Sequence, residues 1–226
     1  MLNNKRLIGL TGAYCAGKNH VAALLEQRLI PALDLDKLGH GIIEEEKERL
    51  LARFGGDILM SGGLIDRKRL GNKVFGKPDE LAALEDIIHP GVNRETLVWI
   101  NSRKEQICAI NAALLHRSVV FDALDAVIIV EAPFLVRLLR ARKRDRLPWV
   151  SLLKRFRSQR RFNSQYFKGN TDIYKVENSG FFGFRKRFLK EKLENRIDDI
   201  LSRPEGNLGP GGPRREVTGK QQSVRC

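Results

Sequence analysis

The sequence predicts an α/β fold, a three-layer sandwich in which a parallel five-stranded sheet is covered by helices on both faces. Three observations carry that expectation. Short apolar runs recur along the chain with helical stretches between them, the pattern of a parallel sheet buried on both sides. The first run leads straight into a glycine-flanked loop, "GAYCAGKN" from Gly12 to Asn19, and that loop opens a helix. Charge is also unevenly placed. The 226 residues carry a net +14, and the segment from Arg137 to Arg161 holds eleven basic residues against one acid, Asp145.

Taken in order, strands are read over Arg6–Leu10, Pro31–Leu35, Ile107–Ile110, Ala126–Val130 and Asp172–Val176. Helices are read over Lys18–Leu29, Leu38–Phe54, Asp79–Ile88, Pro90–Glu105, Pro133–Asp145, Trp149–Arg161 and Phe184–Leu201. The helical stretch between the second and third strands is too long for a minimal βαβ crossover. It reads as a cap over the C-terminal edge of the sheet, where open α/β sheets bind ligands. After Leu201 the chain turns rich in Pro and Gly, then polar and basic to Cys226. Such a tail cannot bury enough apolar surface to order itself, so residues 204–226 are expected to be disordered.

Composition narrows the class. With 42% hydrophobic and 30% charged residues the chain is long enough for one sizeable core. No apolar run approaches the roughly 20 residues that a membrane span requires. The N-terminal residues lead directly into a strand and carry no small-residue cleavage site. Three cysteines without a CxxC pair suggest neither a disulfide framework nor a zinc site, and a reducing cytoplasm is expected. The basic segment suits a phosphate clamp or an RNA-binding face, and a solvated arginine-rich helix is the plain alternative.

The loop has the spacing Gly12-x-x-x-x-Gly17-Lys18. Its glycines let backbone N–H groups surround a phosphate, and Lys18 reaches the β- and γ-oxygens. The helix that follows adds the partial positive charge of its N-terminus. A strand before and a helix after give this motif its confirming context and make the fold P-loop NTPase-type. Gly12, Ala13, Tyr14, Cys15, Ala16, Gly17, Lys18 and Asn19 are therefore the candidate ATP-binding residues. Position 19 normally carries Ser or Thr, whose hydroxyl binds Mg2+, and here it is Asn. Its amide oxygen is a legitimate ligand for a hard cation, directly or through water; alternatively Asn19 caps or packs locally and other groups hold the metal. Cys15 at the loop tip fills shape, with redox sensing the alternative. At the end of the second strand, alternation puts Asp34 and Asp36 on one side of the chain. Beside a phosphate loop the pair could hold Mg2+ and take a proton from a substrate hydroxyl; either acid alone could instead cap a helix.

With these residues in place the chain resembles the dephospho-coenzyme A kinase family from Leu7 to about Asn178. The resemblance rests on Ile8-Gly9-Leu10-Thr11-Gly12 with Gly17-Lys18, on Asp34-Leu35-Asp36, on "FGGDIL" (Phe54–Leu59), "GGLIDRKRLGNKVF" (Gly62–Phe75) and "IIHP" (Ile87–Pro90). Arg140, Arg144-Asp145, Gln159, Asp172 and Asn178 follow at family-like spacing. It implies transfer of the ATP γ-phosphoryl to the ribose 3′-hydroxyl of dephospho-coenzyme A, the last step of coenzyme A synthesis, with Mg2+ as cofactor. On that resemblance Asp36 is the base and Lys18 neutralises the transferring group; Asn19 and Asp36 are the candidate metal ligands. Arg140 and Arg144 belong to a lid over ATP, with Arg144 catalytic. Asp34, His40, Arg67, Leu70 and His89 bind the acceptor; for His89 a plain helix-entry role is the alternative.

The implied organisation is one kinase domain over 1–203. Its core is 5–36, 106–136 and 172–202, its helical acceptor-binding region 37–105, and its lid 137–171. Dephospho-coenzyme A and ATP are the expected partners, ahead of nucleic acid, with no membrane partner. The sequence also departs from the family. Ala13 to Ala16 stand where Gly and Ser are commoner, Asn19 replaces the hydroxyl residue, His40 stands for an arginine, and His116 for the acid after the third strand. The rival readings are another small-molecule kinase of this fold and a nucleic-acid-binding protein that uses the basic 137–161 segment.

Overall fold

The computed structural model describes residues 5–158, 171–179, 186–202 and 216–217. These fall into two packed units, Leu33–Lys104 and residues 5–32 with those from 105 onward. Gln159, the 159–170 part of the expected lid and the expected tail over 204–226, apart from the backbone of 216–217, lie outside the described residues.

The larger unit is built on the expected sheet. Strands β1 (Arg6–Gly12), β2 (Ala32–Asp34), β3 (Ile107–Asn111), β4 (Ala126–Glu131) and β5 (Asp172–Glu177) lie in the order β2-β3-β1-β4-β5. Pairings of β1 with β3 and β4, and of β4 with β5, are parallel. A two-residue strand, β6 (Glu216–Val217), continues the order beside β5. All seven residues of β1 are buried and so are the first five of β4, which is why these segments read as continuous apolar runs rather than alternating ones. Helices α1 (Lys18–Glu26) and α8 (Lys186–Ser202) cover the sheet. Val21, Leu24 and Leu25 of α1 and Leu193, Ile197 and Ile200 of α8 share a core with Ile8, Leu10, Ile128 and Val130. Each such buried aliphatic side chain contributes about 1.5–3 kcal/mol. The buried guanidinium of Arg6 donates to the carbonyls of Leu201 (3.0 Å) and Ile200 (3.2 Å), closing the last turn of α8.

The register brings three strand ends to one edge. Leu10 lies beside Asn111 and Gly12 beside Val130, so the loop after β1 leaves the sheet next to the ends of β3 and β4. On the same unit α6 (Phe134–Asp145) and α7 (Trp149–Ser158) form a helical pair. Arg146, in the left-handed conformation, ends α6 two residues before Pro148.

The smaller unit is helical: α2 (Leu35–Glu45), α3 (Lys47–Phe54), α4 (Arg67–Val74) and α5 (Pro78–Ser102). Leu50, Phe54, Ile58, Ile65, Leu70, Val74 and Ile87 form its own core. Three features differ from the sequence reading. The single helix expected over 38–54 starts at Leu35 and breaks at Glu46. Helix α4, not expected, is started by Asp66, whose carboxylate accepts from Lys68 N (2.9 Å) and Arg69 N (3.1 Å). Two helices divided at Pro90 are one, α5. Pro90 removes one main-chain donor there, but burial of Ile87, Gly91, Thr96 and Ile100 carries the helix through. Among the described residues no helix is long and apolar enough to cross a membrane.

Candidate active site

The base of the loop is tightly built. Gly17, at φ 96°, caps α1 without a side-chain bond, so the helix N-terminus presents its partial positive charge to the loop. A Cβ at Gly17 would lie 2.2 Å from Asn178 Nδ2, and one at Gly12 2.7 Å from the Val130 carbonyl. Both glycines are thus required, one by backbone conformation and crowding, the other by the approach of β4. The buried Ala16 carbonyl is held twice, by Asn178 Nδ2 (3.0 Å) and by Arg140 Nη1 (3.1 Å), while Arg140 Nη2 donates to the Asn178 carbonyl (2.9 Å). Arg140 therefore braces the loop from behind. Lys18 Nζ donates to Asn111 Oδ1 at 3.1 Å, and Asn111 Nδ2 donates to Asn19 Oδ1 at 3.2 Å.

The tip of the loop is held by the helical pair. Tyr14 and Cys15, the latter at φ 58°, pack against Ala141, Leu152 and Phe156. The Tyr14 ring meets Phe156 edge-on at 5.3 Å and lies under the Arg144 guanidinium at 5.1 Å. Its hydroxyl donates to Asp145, which also pairs with Arg144 (2.7 Å) and Arg155 (3.3 Å). The Arg144 hydrogen bond, with the Tyr14 hydroxyl, holds the Asp145 carboxyl below the usual range. Burial, then the Asp145 bond, pushes the Tyr14 phenol up. For Cys15 burial outweighs the lowering by nearby Arg144 and raises the thiol. A half-buried, protonated thiol suits the shape-filling role.

The remaining expected residues lie in the helical unit. The second strand ends at Asp34, so the alternation argument for the Asp pair does not hold. Asp34 is the N-cap of α2, its Oδ1 accepting from Asp36 N and Lys37 N at 3.1 Å each. Asp36 sits in the first helical turn, exposed, and His40 one turn on is also exposed. Arg67 is exposed at the start of α4. Leu70 is 2% exposed in the core of its unit. His89 is half-buried in mid-α5, not at a helix entry. In the larger unit, His116 is half-buried, and burial, with the Arg117 charge, lowers its pKa; a neutral imidazole there does not replace the acid it stands for.

Sequence reasoning missed Asn111. The available signal was a lone polar residue directly after the apolar run Ile107–Ile110, in "ICAIN".

A glycine-flanked loop with a held lysine, at the edge of a parallel sheet where β1 ends, defines a protein of the P-loop NTPase fold. The family model for dephospho-CoA kinase matches residues 6–178, and the chain belongs to that family. The dephospho-CoA kinase of Treponema denticola is 30% identical over 202 residues, covering 84% of this chain and 90% of its own. A crystal structure from Thermus thermophilus has a TM-score of 0.73 at 29% identity over 88% of this chain and 98% of that one. Dephospho-CoA kinase from Campylobacter jejuni shares the fold, with a TM-score of 0.56 at 22% identity over 87% and 97%. The chain is accordingly an ATP-dependent kinase, a transferase of coenzyme A biosynthesis.

Proposed function

We propose that the chain transfers the γ-phosphoryl of ATP in line to the ribose 3′-hydroxyl of dephospho-coenzyme A, with the loop and Lys18 as the phosphate cradle. The observation that carries this reading is the pair of buried amides, Asn111 and Asn178, that hold Lys18 and the Ala16 carbonyl in place. A cradle fixed by the fold needs little reorganisation as charge develops on the transferring group. Asp36 acts as base toward the hydroxyl, and the Asp34 cap orients the turn that carries it. Catalysis then comes mainly from positioning and charge neutralisation.

Among the described residues no three His, Cys, Asp or Glu side chains gather into a metal cage. That fits Mg2+, which is commonly held by one or two protein oxygens plus phosphates and water. Asn19 Oδ1 accepts one hydrogen bond, and a carbonyl oxygen has a second lone pair for the ion or its water. Asn19 and Asp36 are the residues that would hold it, and the ion would neutralise phosphate charge.

Region 37–105 is the acceptor-binding part and 137–171 the lid, whose closure excludes water as a competing acceptor. Arg140, Arg144 and Arg155 all have protein partners at or near the loop, which supports a lid over a nucleic-acid face. Cytoplasmic ATP and dephospho-coenzyme A are the partners.

The test is ADP release with and without dephospho-coenzyme A. Acceptor-dependent release is expected, and it should survive Asn19→Ser; equal release without acceptor, or none with it, overturns the reading. Asp36→Asn is expected to lower kcat by about 10²–10⁴-fold, the range of positioned acid–base groups. A kcat within a few-fold of the unmodified chain would remove Asp36 from the base role.

A further inference from the structure

The loop lysine and the unusual loop asparagine share one neighbour, and its chemistry decides what each can do. Asn111 ends β3 with 2% of its surface exposed. Its backbone is fixed beside Leu10 of β1, and the next residue continues the pairing through Ala112 N to the Leu10 carbonyl at 3.0 Å. From that fixed point one carboxamide reaches Lys18 at 3.1 Å and Asn19 at 3.2 Å.

We propose that Asn111 is a positioning residue of the phosphoryl transfer, and that residues 19 and 111 are a matched pair that sets Lys18 and the oxygen of Asn19 together. This rests on the reading of the loop as the ATP cradle. An ammonium group only donates, so Asn111 must turn its oxygen to Lys18. Its amide nitrogen then faces the other way and needs an acceptor. Asn19 supplies one, and its own carboxamide is thereby oriented with the oxygen toward Asn111, leaving that oxygen a second lone pair for a cation or its water.

A serine or threonine at 19 would read this arrangement differently. Its hydroxyl is nearer the backbone and both donates and accepts, so it does not depend on which way the 111 amide points. Asn19 does depend on it, because turned over it would offer hydrogens where an oxygen is needed for a cation or its water. Burial sharpens the effect. A buried amide with both ends bonded is held in one orientation, and losing one partner leaves an unsatisfied polar atom. Lys18 is thus placed before a nucleotide arrives, and Asn19 is placed by the same group.

The test compares the full chain with Asn111→Leu, Asn19→Ala and the double variant. Asn111→Ala is carried in parallel, so that a packing defect of leucine does not decide the matter; thermal unfolding checks that each is folded. ADP affinity is measured by calorimetry in EDTA, which reads the Lys18 half, and again in MgCl2, where the gain over EDTA reads the Asn19 half. Both variants at 111 are expected to weaken ADP in EDTA and to shrink the Mg2+ gain, with kcat lowered about 10–100-fold as for other supporting residues. Asn19→Ala is expected to reduce the Mg2+ gain alone, and the double variant to show no further loss of that gain beyond Asn111→Leu.

Unchanged ADP affinity in EDTA with an unchanged Mg2+ gain in folded 111 variants overturns the proposal. So does a Mg2+ gain whose losses at 19 and 111 simply multiply. A full-length chain that binds ADP yet fails to phosphorylate dephospho-coenzyme A would overturn the proposed function instead, while the ADP comparison would still decide for Asn111.

Discussion

The two ends of the phosphate loop are held by different physics. Its base, from Ala16 to Asn19, is fastened by buried amides and one half-buried arginine to the ends of β3 and β5, through two amide bonds and two donated by Lys18 and Arg140, none of them to a carboxylate. Its tip, Tyr14 and Cys15, is fastened to α6 and α7 by aromatic contacts and a carboxylate shared among Tyr14, Arg144 and Arg155. Arg144 and Arg155 are 60% and 54% exposed at that cluster, so salt screens it, while Ala16, Asn111 and Asn178 at the base are buried. The difference teaches that the base of the loop is a property of the sheet, whereas its tip is attached by bonds that solvent conditions can exchange.

Breaking the base is expected to have the larger effect. Gly17→Ala forces a side chain onto a residue at φ 96° and to 2.2 Å from Asn178 Nδ2, which displaces the amide that holds the Ala16 carbonyl. Strain of this kind costs on the order of 1–3 kcal/mol, and the helix N-terminus shifts with it. A lowered melting temperature together with weakened ADP binding is the expected result. If melting falls but ADP affinity stays, the base is structural only and the contrast between the two ends loses its functional side.

Breaking the tip is expected to do less. Tyr14→Phe keeps the edge-on contact with Phe156 and removes only the hydroxyl bond to Asp145. The loss is expected near the low end of about 0.5–1.5 kcal/mol, because the cluster is partly solvated. Stability measured at low and high salt should show that the wild-type advantage shrinks with salt at the tip. An equal advantage at both salts would mean that packing, and not the charge cluster, holds Tyr14.

What the sequence made legible follows the same division. The cradle was readable because its glycines, lysine and flanking strand and helix are contiguous, and local geometry alone makes the motif. The five strands were readable because burial on both faces leaves continuous apolar runs. Asn111 and Asn178 act on the loop from 92 and 162 residues away, and no local pattern announces that a polar residue at a strand end will turn inward. Asp34 misled because a strand that ends one residue early converts an alternating pair into a cap and its first turn. Pro90 misled because tertiary burial along α5 outweighs a local helix breaker. Helix α4 was hidden by its charge, since among Arg67–Val74 only Leu70 and Val74 are buried.

The smallest expected effect is the most specific to the tip. Asp145 has its pKa lowered, chiefly by the Arg144 hydrogen bond, so its contribution is present above the unfolded value of about 3.9 and is lost as pH falls through the depressed folded value. Tyr14 has its pKa raised, chiefly by burial and then by the Asp145 bond. Its contribution is therefore present below the unfolded value of about 10 and is lost as pH rises through the raised one. Between those limits neither group changes charge. The stability difference between the unmodified chain and Tyr14→Phe is thus expected to stay level from about pH 5 to 9 and to close only outside it, as linkage requires. Thermal unfolding of both proteins across pH reads this directly. A difference that titrates near neutrality would show that a group other than Asp145 and Tyr14 governs the tip, and the tip would then be a pH-sensitive element where the base is not.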